Sequence, residues 1–491
     1  MYGDAFVGPA PEPAKRDTTR SVGIVVLGAL LAFAGGAVTV AASSTQSWFP
    51  SRWDARVAPI AAEVARLRGL DFLHPVRIQY LAPKDFEATL GDGPLSASER
   101  AGIKREEAVL RSLGFIGGKV DLLKESQTAS SSGTLAYYSF GKKEIFVRGT
   151  SLDVEHRVTI AHELTHVLQD QHFDLTKLEQ RAMASNRGDL GSLKALEEGD
   201  AVRIQQDYLK QLSKPEKKEY DREYAAEGKR VDKETSTVPD IVSAQMGAPY
   251  EFGPSTIRVL LESGGNAAVN DALTGPLPSS GVFTKTGDLT PAVRVDPPLP
   301  PSDGRVLGMP DVIGPFETFL LLSTHIDPEQ ALEAADSVDG GAAITFESGG
   351  TTCYRIALDA TSQSSRPFLL QAVQDWARGR TRTRVDPAGD LVGFTMCDPG
   401  KSAPDPSSAR FHAAITLLEV RTGLTVGASR GHGDADRARC VARVLLERPG
   451  AEELIIAIGN DTPTAAQEAQ LGPMAAATGA ACRDDSDAGL H

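Results

Sequence analysis

The sequence has 491 residues, with 51 Lys+Arg against 65 Asp+Glu and a formal net charge of −14. Its 41% hydrophobic and 24% charged content is that of a globular protein, not of a disordered or many-span membrane chain, and the length suggests about three domains. The acidic balance offers no basic footprint, so no nucleic-acid partner is expected, and four cysteines are too few for a disulfide-dense scaffold or a multi-cysteine zinc ribbon.

Residues 22–42 form an uncharged apolar run, VGIVVLGALLAFAGGAVTVAA. At about 1.5 Å rise per residue such a run can cross a hydrocarbon core of about 30 Å. Lys15, Arg16 and Arg20 precede it, which by the positive-inside rule leaves residues 1–20 in the cytoplasm. The reading is a single-pass signal anchor over residues 21–43, with residues 50–491 extracytoplasmic. A cleaved signal peptide is the alternative, and the chain is then secreted; Ala41, Ala42 and Ser43 make a poor cleavage site for it. In that compartment disulfides persist, and the four cysteines are expected to pair in sequence order, Cys353 with Cys397 and Cys440 with Cys482. Four buried free thiols are the alternative. None has a CxxC partner.

Val57, Ile60, Val64 and Leu67 recur at helical spacing before Gly69, predicting a helix over 54–70. Val76, Ile78 and Tyr80 alternate with polar residues as in a strand. A helix is expected at 96–113, ending at Gly114. The segment 135–149, LAYYSFGKKEIFVRG, reads as a hairpin turning at Gly141-Lys142-Lys143. Helices follow at 153–171 and 191–212, with a loop at 182–190 between them. The charged stretch 213–235 reads as a solvated helix or flexible insertion. A short helix is expected at 254–263, closed by Gly264-Gly265, then a Pro/Ser/Gly-rich loop over 274–304.

Asp327-Pro328-Glu329-Gln330 opens a helix with proline at its first position. A hairpin over 342–358 turns at Ser348-Gly349-Gly350, which lacks the remainder of a phosphate-binding loop. A helix at 366–378 and a strand at 391–397 complete an αββαβ order from 305 to 400. Residues 401–408 read as a boundary, and the last eighty residues alternate helical runs with one β-like run at 454–459.

The chemistry resides in His162-Glu163-Leu164-Thr165-His166. Positions i and i+4 of a helix share one face, so both imidazoles can ligate one Zn²⁺. Glu163, one position round, can reach a water activated by the metal and take its proton. A zinc hydrolase also needs a third protein ligand while leaving a position open. Ala195-Leu196-Glu197-Glu198-Gly199-Asp200-Ala201 offers one 32 residues after His166. Glu198 is the choice, because small Gly199 and Ala201 would let this helix pack on the motif helix; Glu197 is the competitor. Asp200 is a candidate to accept the remaining N–H of a ligand histidine, with Asp170 and Gln171 as further candidates. No GxSxG elbow exists, and His325, His412 and His432 stand isolated.

HELTH followed by EGDA resembles the gluzincin zinc metallopeptidases. The closer likeness is to bacterial membrane-anchored predicted metallopeptidases carrying HELTHxLQDQHFDL, an upstream hairpin ending IxVRG and a downstream ALxEGDA, here at 162–175, 145–149 and 195–201. The likeness covers about 55–400 and no part of 401–491. It implies His162, His166 and Glu198 as ligands of one Zn²⁺ per chain, and Glu163 as general base. It also implies that the strand at 144–148 is the edge to which an extended peptide substrate adds. The spacing from His166 to Glu198 is longer than in compact gluzincins. The likeness assigns no group to the tetrahedral oxyanion; Tyr250 ranks first, ahead of His172, Tyr208 and Arg203.

The resulting expectation is an α+β protein. Behind the anchor comes a zincin-like, mainly helical catalytic domain with a small edge-strand sheet at 54–304, then an α+β subdomain at 305–400 and an extension at 401–491. The expected function is zinc-dependent hydrolysis of a peptide or protein. The alternative is a catalytically silent zincin-like envelope protein acting as a binding or structural module.

Overall fold

A computed structural model of the chain describes residues 49–90, 95–185, 189–430, 435–446 and Cys482. The N-terminal tail, the apolar run at 22–42 and the β-like run at 454–459 lie outside the described residues. Among the described residues no helix is long and apolar enough to cross a membrane.

The chain is mixed α+β. Helix α1 (Ala58–Arg68) ends at Gly69, whose φ of 71° supplies the left-handed cap. Strand β1 (Arg77–Leu81) and the short α2 (Pro83–Thr89) follow. Helix α3 (Ala97–Leu113) opens with a Ser96/Glu99 capping box and closes at Gly114. After α4 (Leu122–Ser132) come β2 (Ala136–Ser139) and β3 (Glu144–Arg148). They form the expected hairpin, but β1 pairs in parallel with β3, giving the order β1-β3-β2. The strand at 144–148 is therefore the centre of this sheet and not its edge; one edge is β2.

Helix α5 (Val154–Phe173) carries the HExxH motif and is capped by Asp153, whose side chain accepts from His156 N–H. Helices α6 (Leu175–Ser185) and α7 (Asp189–Gln211) follow, so helix occupies much of the loop expected at 182–190. The long spacing between His166 and Glu198 is filled by α6, whose Leu175, Leu178 and Ala182 share a core with Leu193 and Leu196 of α7. The charged segment forms α8 (Lys214–Glu234). In place of a short helix at 254–263, α9 runs Asp240–Thr274, through Pro249 and Pro254, and breaks at Gly264 and Gly265. A proline inside a helix costs about 3 kcal/mol; here the helix packs along α7 and buries Ile241, Val242, Phe252, Ile257 and Leu260. The following loop holds the single turn α10 (Gly281–Thr284).

The second half builds a six-stranded antiparallel sheet. Strands β4 (Arg305–Val306) and β5 (Asp311–Val312) both pair with β6 (Val338–Ser348), which is followed by β7 (Thr351–Ala360), β8 (Thr383–Ala388) and β9 (Leu391–Cys397) in the order β6-β7-β9-β8. Gly349 and Gly350, both at positive φ, make the two-residue turn between β6 and β7. Helices α11 (Pro315–Ser323) and α13 (Arg366–Ala377) pack on the sheet, and α12 (Pro328–Asp336) packs against both helices. Strand β8 extends the expected αββαβ order to αββαββ. After a 3-10 turn at Gly400–Ser402, α14 (Ser408–Ser429) and α15 (Ala435–Leu446) close the described chain. The largest core joins this sheet to α3, α4, α9 and α14. A separate core lies under α1, β1–β3, α5 and α7. Cys353 pairs with Cys397 and Cys440 with Cys482, as expected.

Candidate metal centre

Residues Val158 to Asp170 of α5 are buried without a break, His162, Glu163 and His166 among them. Such a helix has no solvent face, so its polar side chains must meet partners inside the protein. The i, i+4 spacing puts the two imidazoles side by side, with His162 Nε2 and His166 Nε2 3.1 Å apart. Glu198, entering from α7, brings its Oε2 to 3.2 Å from each of them. Among the described residues these three side chains are the one group of His, Cys, Asp or Glu that could hold a metal ion.

The proton positions show what the arrangement can accept. His162 Nδ1 lies 3.0 Å from Gln205 Oε1, and His166 Nδ1 lies 2.9 Å from Gln169 Oε1. A neutral imidazole has one N–H. With both Nδ1 protons donated to glutamine oxygens, both Nε2 atoms present lone pairs, and Glu198 Oε2 presents another. Three acceptors 3.1–3.2 Å apart repel unless a cation lies among them. Two ligands on a tetrahedral zinc with bonds of about 2.0 Å stand about 3.3 Å apart. The donor set therefore fits such an ion in both chemistry and spacing. In the metal-free protein a proton takes that part. Burial works against the imidazolium, yet the Glu198 carboxylate outweighs it and pushes His166 up to about 9. Burial likewise opposes ionisation of Glu198, but the two rings hold its carboxyl well below the usual range.

Glu197, the competing ligand, is turned elsewhere. Its Oε2 pairs with Lys194 Nζ at 2.8 Å, and Lys194 also pairs with Glu179. Burial raises the Glu197 carboxyl to about 7 despite that lysine. Glu163 lies beside the ligands with its Oε2 accepting the Tyr138 backbone N–H at 2.7 Å; burial raises its carboxyl pKa. Tyr138 is itself fixed by its hydroxyl, which donates to Asp170 Oδ2 at 2.7 Å, where Lys143 also binds. Asp170 thus supports the strand beside the motif and not a ligand ring. Gln171 is spent on the backbone of Leu73 and His74.

Asp200 contacts neither imidazole, contrary to expectation. It lies one step further back, accepting from Gln169 Nε2 at 3.1 Å and from Arg68 and Arg203, each at 2.6 Å. Gly199 does not pack on the motif helix either; it meets Gly253 of α9 backbone to backbone. Gln169 and Gln205 were missed because an amide is not a metal ligand. The available signal was helical: Gln169 is three residues after His166, and Gln205 is seven after Glu198, on the same face.

The three ligand candidates, Glu163, Lys194 and Tyr250 line one small cavity of about 40 Å³, together with Ala136, Tyr137, Tyr138 and Phe140. Tyr250 stacks near His162, with ring centroids 6.2 Å apart. The other oxyanion candidates lie elsewhere. His172 binds the Asp71 carbonyl, Arg203 binds Asp200, and Tyr208 belongs to the core under α1. His325 sits against Arg380 and Trp376, and His412 faces Asp240; His432 lies outside the described residues. Comparison with protein-family models, with curated proteins and with solved structures finds no match to this chain.

Proposed function

We propose that the protein is a zinc-dependent metallopeptidase of gluzincin type, held at the outer face of a membrane by residues 21–43. One observation carries the reading: two imidazole nitrogens and a carboxylate oxygen meet within 3.2 Å, beside a buried glutamate and a cavity. The apolar run at 22–42 and the two disulfides support the extracytoplasmic placement.

His162 and His166 offer Nε2, and Glu198 offers its carboxylate, to one zinc per chain. Zinc held there supplies a Lewis acid and lowers the pKa of water toward about 7. Glu163 accepts the proton of the attacking water and hands it to the leaving amine; its place one residue from His162 keeps it beside the ligands. The peptide lies against β2 in place of the 144–148 strand. The Tyr138 N–H points from β2 to Glu163; by strand alternation the Ala136 backbone faces the same way, and Ala136 lines the same cavity. Tyr250 is the candidate donor to the oxyanion. The test is Glu163→Gln in the full chain. It should keep zinc and lower the cleavage of an unstructured protein by at least about 10²-fold. Undiminished cleavage would contradict the assignment.

A further inference from the structure

We infer that Gln169 and Asp200 are positioning residues that fix the tautomer and orientation of His166 from outside the metal centre. The inference rests on the metal reading of the site and adds the source of its geometry.

The amide of Gln169 can be oriented two ways, and the surroundings permit one. Its Nε2 lies 2.9 Å from the Glu197 carbonyl oxygen, which can only accept. It also lies 3.1 Å from Asp200 Oδ2. Asp200 is itself committed as an acceptor, because Arg68 Nε binds Oδ2 at 2.6 Å, Arg203 Nη2 binds Oδ1 at 2.6 Å, and a guanidinium only donates. The NH₂ end of Gln169 must therefore face Glu197 and Asp200, and Oε1 must face His166. An acceptor 2.9 Å from Nδ1 requires a ring proton there, so the neutral ring has its bare nitrogen at Nε2, toward Glu198.

The chain of polarity thus runs from Arg68, at the end of α1, through Asp200 on α7 and Gln169 on α5 to the ring. Arg68 and Asp200 are fully buried, and Arg68 is tethered further to Asn270 of α9 at 2.7 Å. Each link comes from a different helix, so the ring is held by the packing of the domain. Gln205 does the same for His162 and is hydrogen-bonded in turn to Tyr220 of α8. A neutral amide in this position orients the ring without adding a second negative charge beside Glu198.

The test compares the full-length chain with Gln169→Met, which keeps the shape and removes the acceptor, and with Asp200→Asn, which removes the charge from one of the two acceptors that hold the amide's NH₂ end. Zinc affinity is read by competition with a chromogenic chelator, and solvent exchange of the imidazole N–H protons is read by NMR of the cobalt(II)-substituted protein. Each variant should bind zinc about 10–100-fold more weakly. Gln169→Met should also turn one of two slowly exchanging imidazole signals into a fast one. Parent-like affinity and exchange in the variants would overturn the inference while leaving the zinc site standing. If neither variant folds, the parent spectrum decides: two slowly exchanging imidazole N–H signals support the inference, and fewer overturn it. A parent chain that takes up neither metal overturns both the inference and the reading beneath it.

Discussion

Gly199 and Gly253 meet where α7 crosses α9, so closely that a Cβ on Gly199 would stand 2.4 Å from the Gly253 carbonyl carbon, and one on Gly253 would stand 2.3 Å from Ala195 O. Both contacts are to backbone, which cannot rotate away. Gly199 directly follows Glu198, so this contact sets how far the carboxylate reaches toward the imidazoles. Gly253→Ala should destabilise the protein by about 1–3 kcal/mol and weaken zinc binding with it. Denaturant unfolding and chelator competition on the same sample check both effects. Unchanged zinc binding in a destabilised variant would contradict the link between the crossing and the ligand.

A pair of carboxyls outside the metal centre should shape stability against pH. Burial, with Asp311 adding to it, raises Glu106 to about 7; burial also raises Asp311 to about 6, although a Tyr354 hydrogen bond opposes it. Both folded values exceed the unfolded ones of about 4. The native state therefore binds more protons between them, and this contribution is complete below about pH 4 and lost as pH rises through 6 to 7. The stability of Glu106→Gln relative to the parent should accordingly rise between pH 4 and pH 8. Urea midpoints across that range measure it; a pH-independent difference contradicts the assignment.

The disulfide between Cys353 and Cys397 ties neighbouring strands β7 and β9 across a sequence separation of 44. By chain entropy a loop of that size is worth about 4 kcal/mol. Replacing both cysteines by alanine should lower the unfolding free energy by up to that amount, with the sheet otherwise retained. A loss below about 1 kcal/mol would mean that the unfolded chain is already constrained there.

What the sequence disclosed was local. The helical spacing of His162 and His166, the helix start at Asp327-Pro328, the glycine stop at Gly114 and the two-glycine turn at 349–350 each follow from a few adjacent residues, and each stands where it was read. What it concealed was contact between distant segments. Strand β1, more than sixty residues before β3, pairs with it and moves the sheet edge to β2; no hairpin pattern contains that information. Pro387 hid β8, which tolerates it because β8 lies at the outer edge of its sheet. Helix α11 escaped notice because PFETFLLLS is apolar nearly all round and has no period to read. The prolines at 249 and 254 concealed the length of α9, which its packing against α7 maintains.

The most direct measurement is the zinc content of the purified full-length chain, with the ligand set read by X-ray absorption at the zinc edge. The account predicts one zinc per chain with two imidazoles and a carboxylate oxygen about 2.0–2.2 Å away, and loss of that zinc in Glu198→Ala. A chain that binds no zinc, or one in which Glu198→Ala leaves zinc and its ligands unchanged, would contradict it.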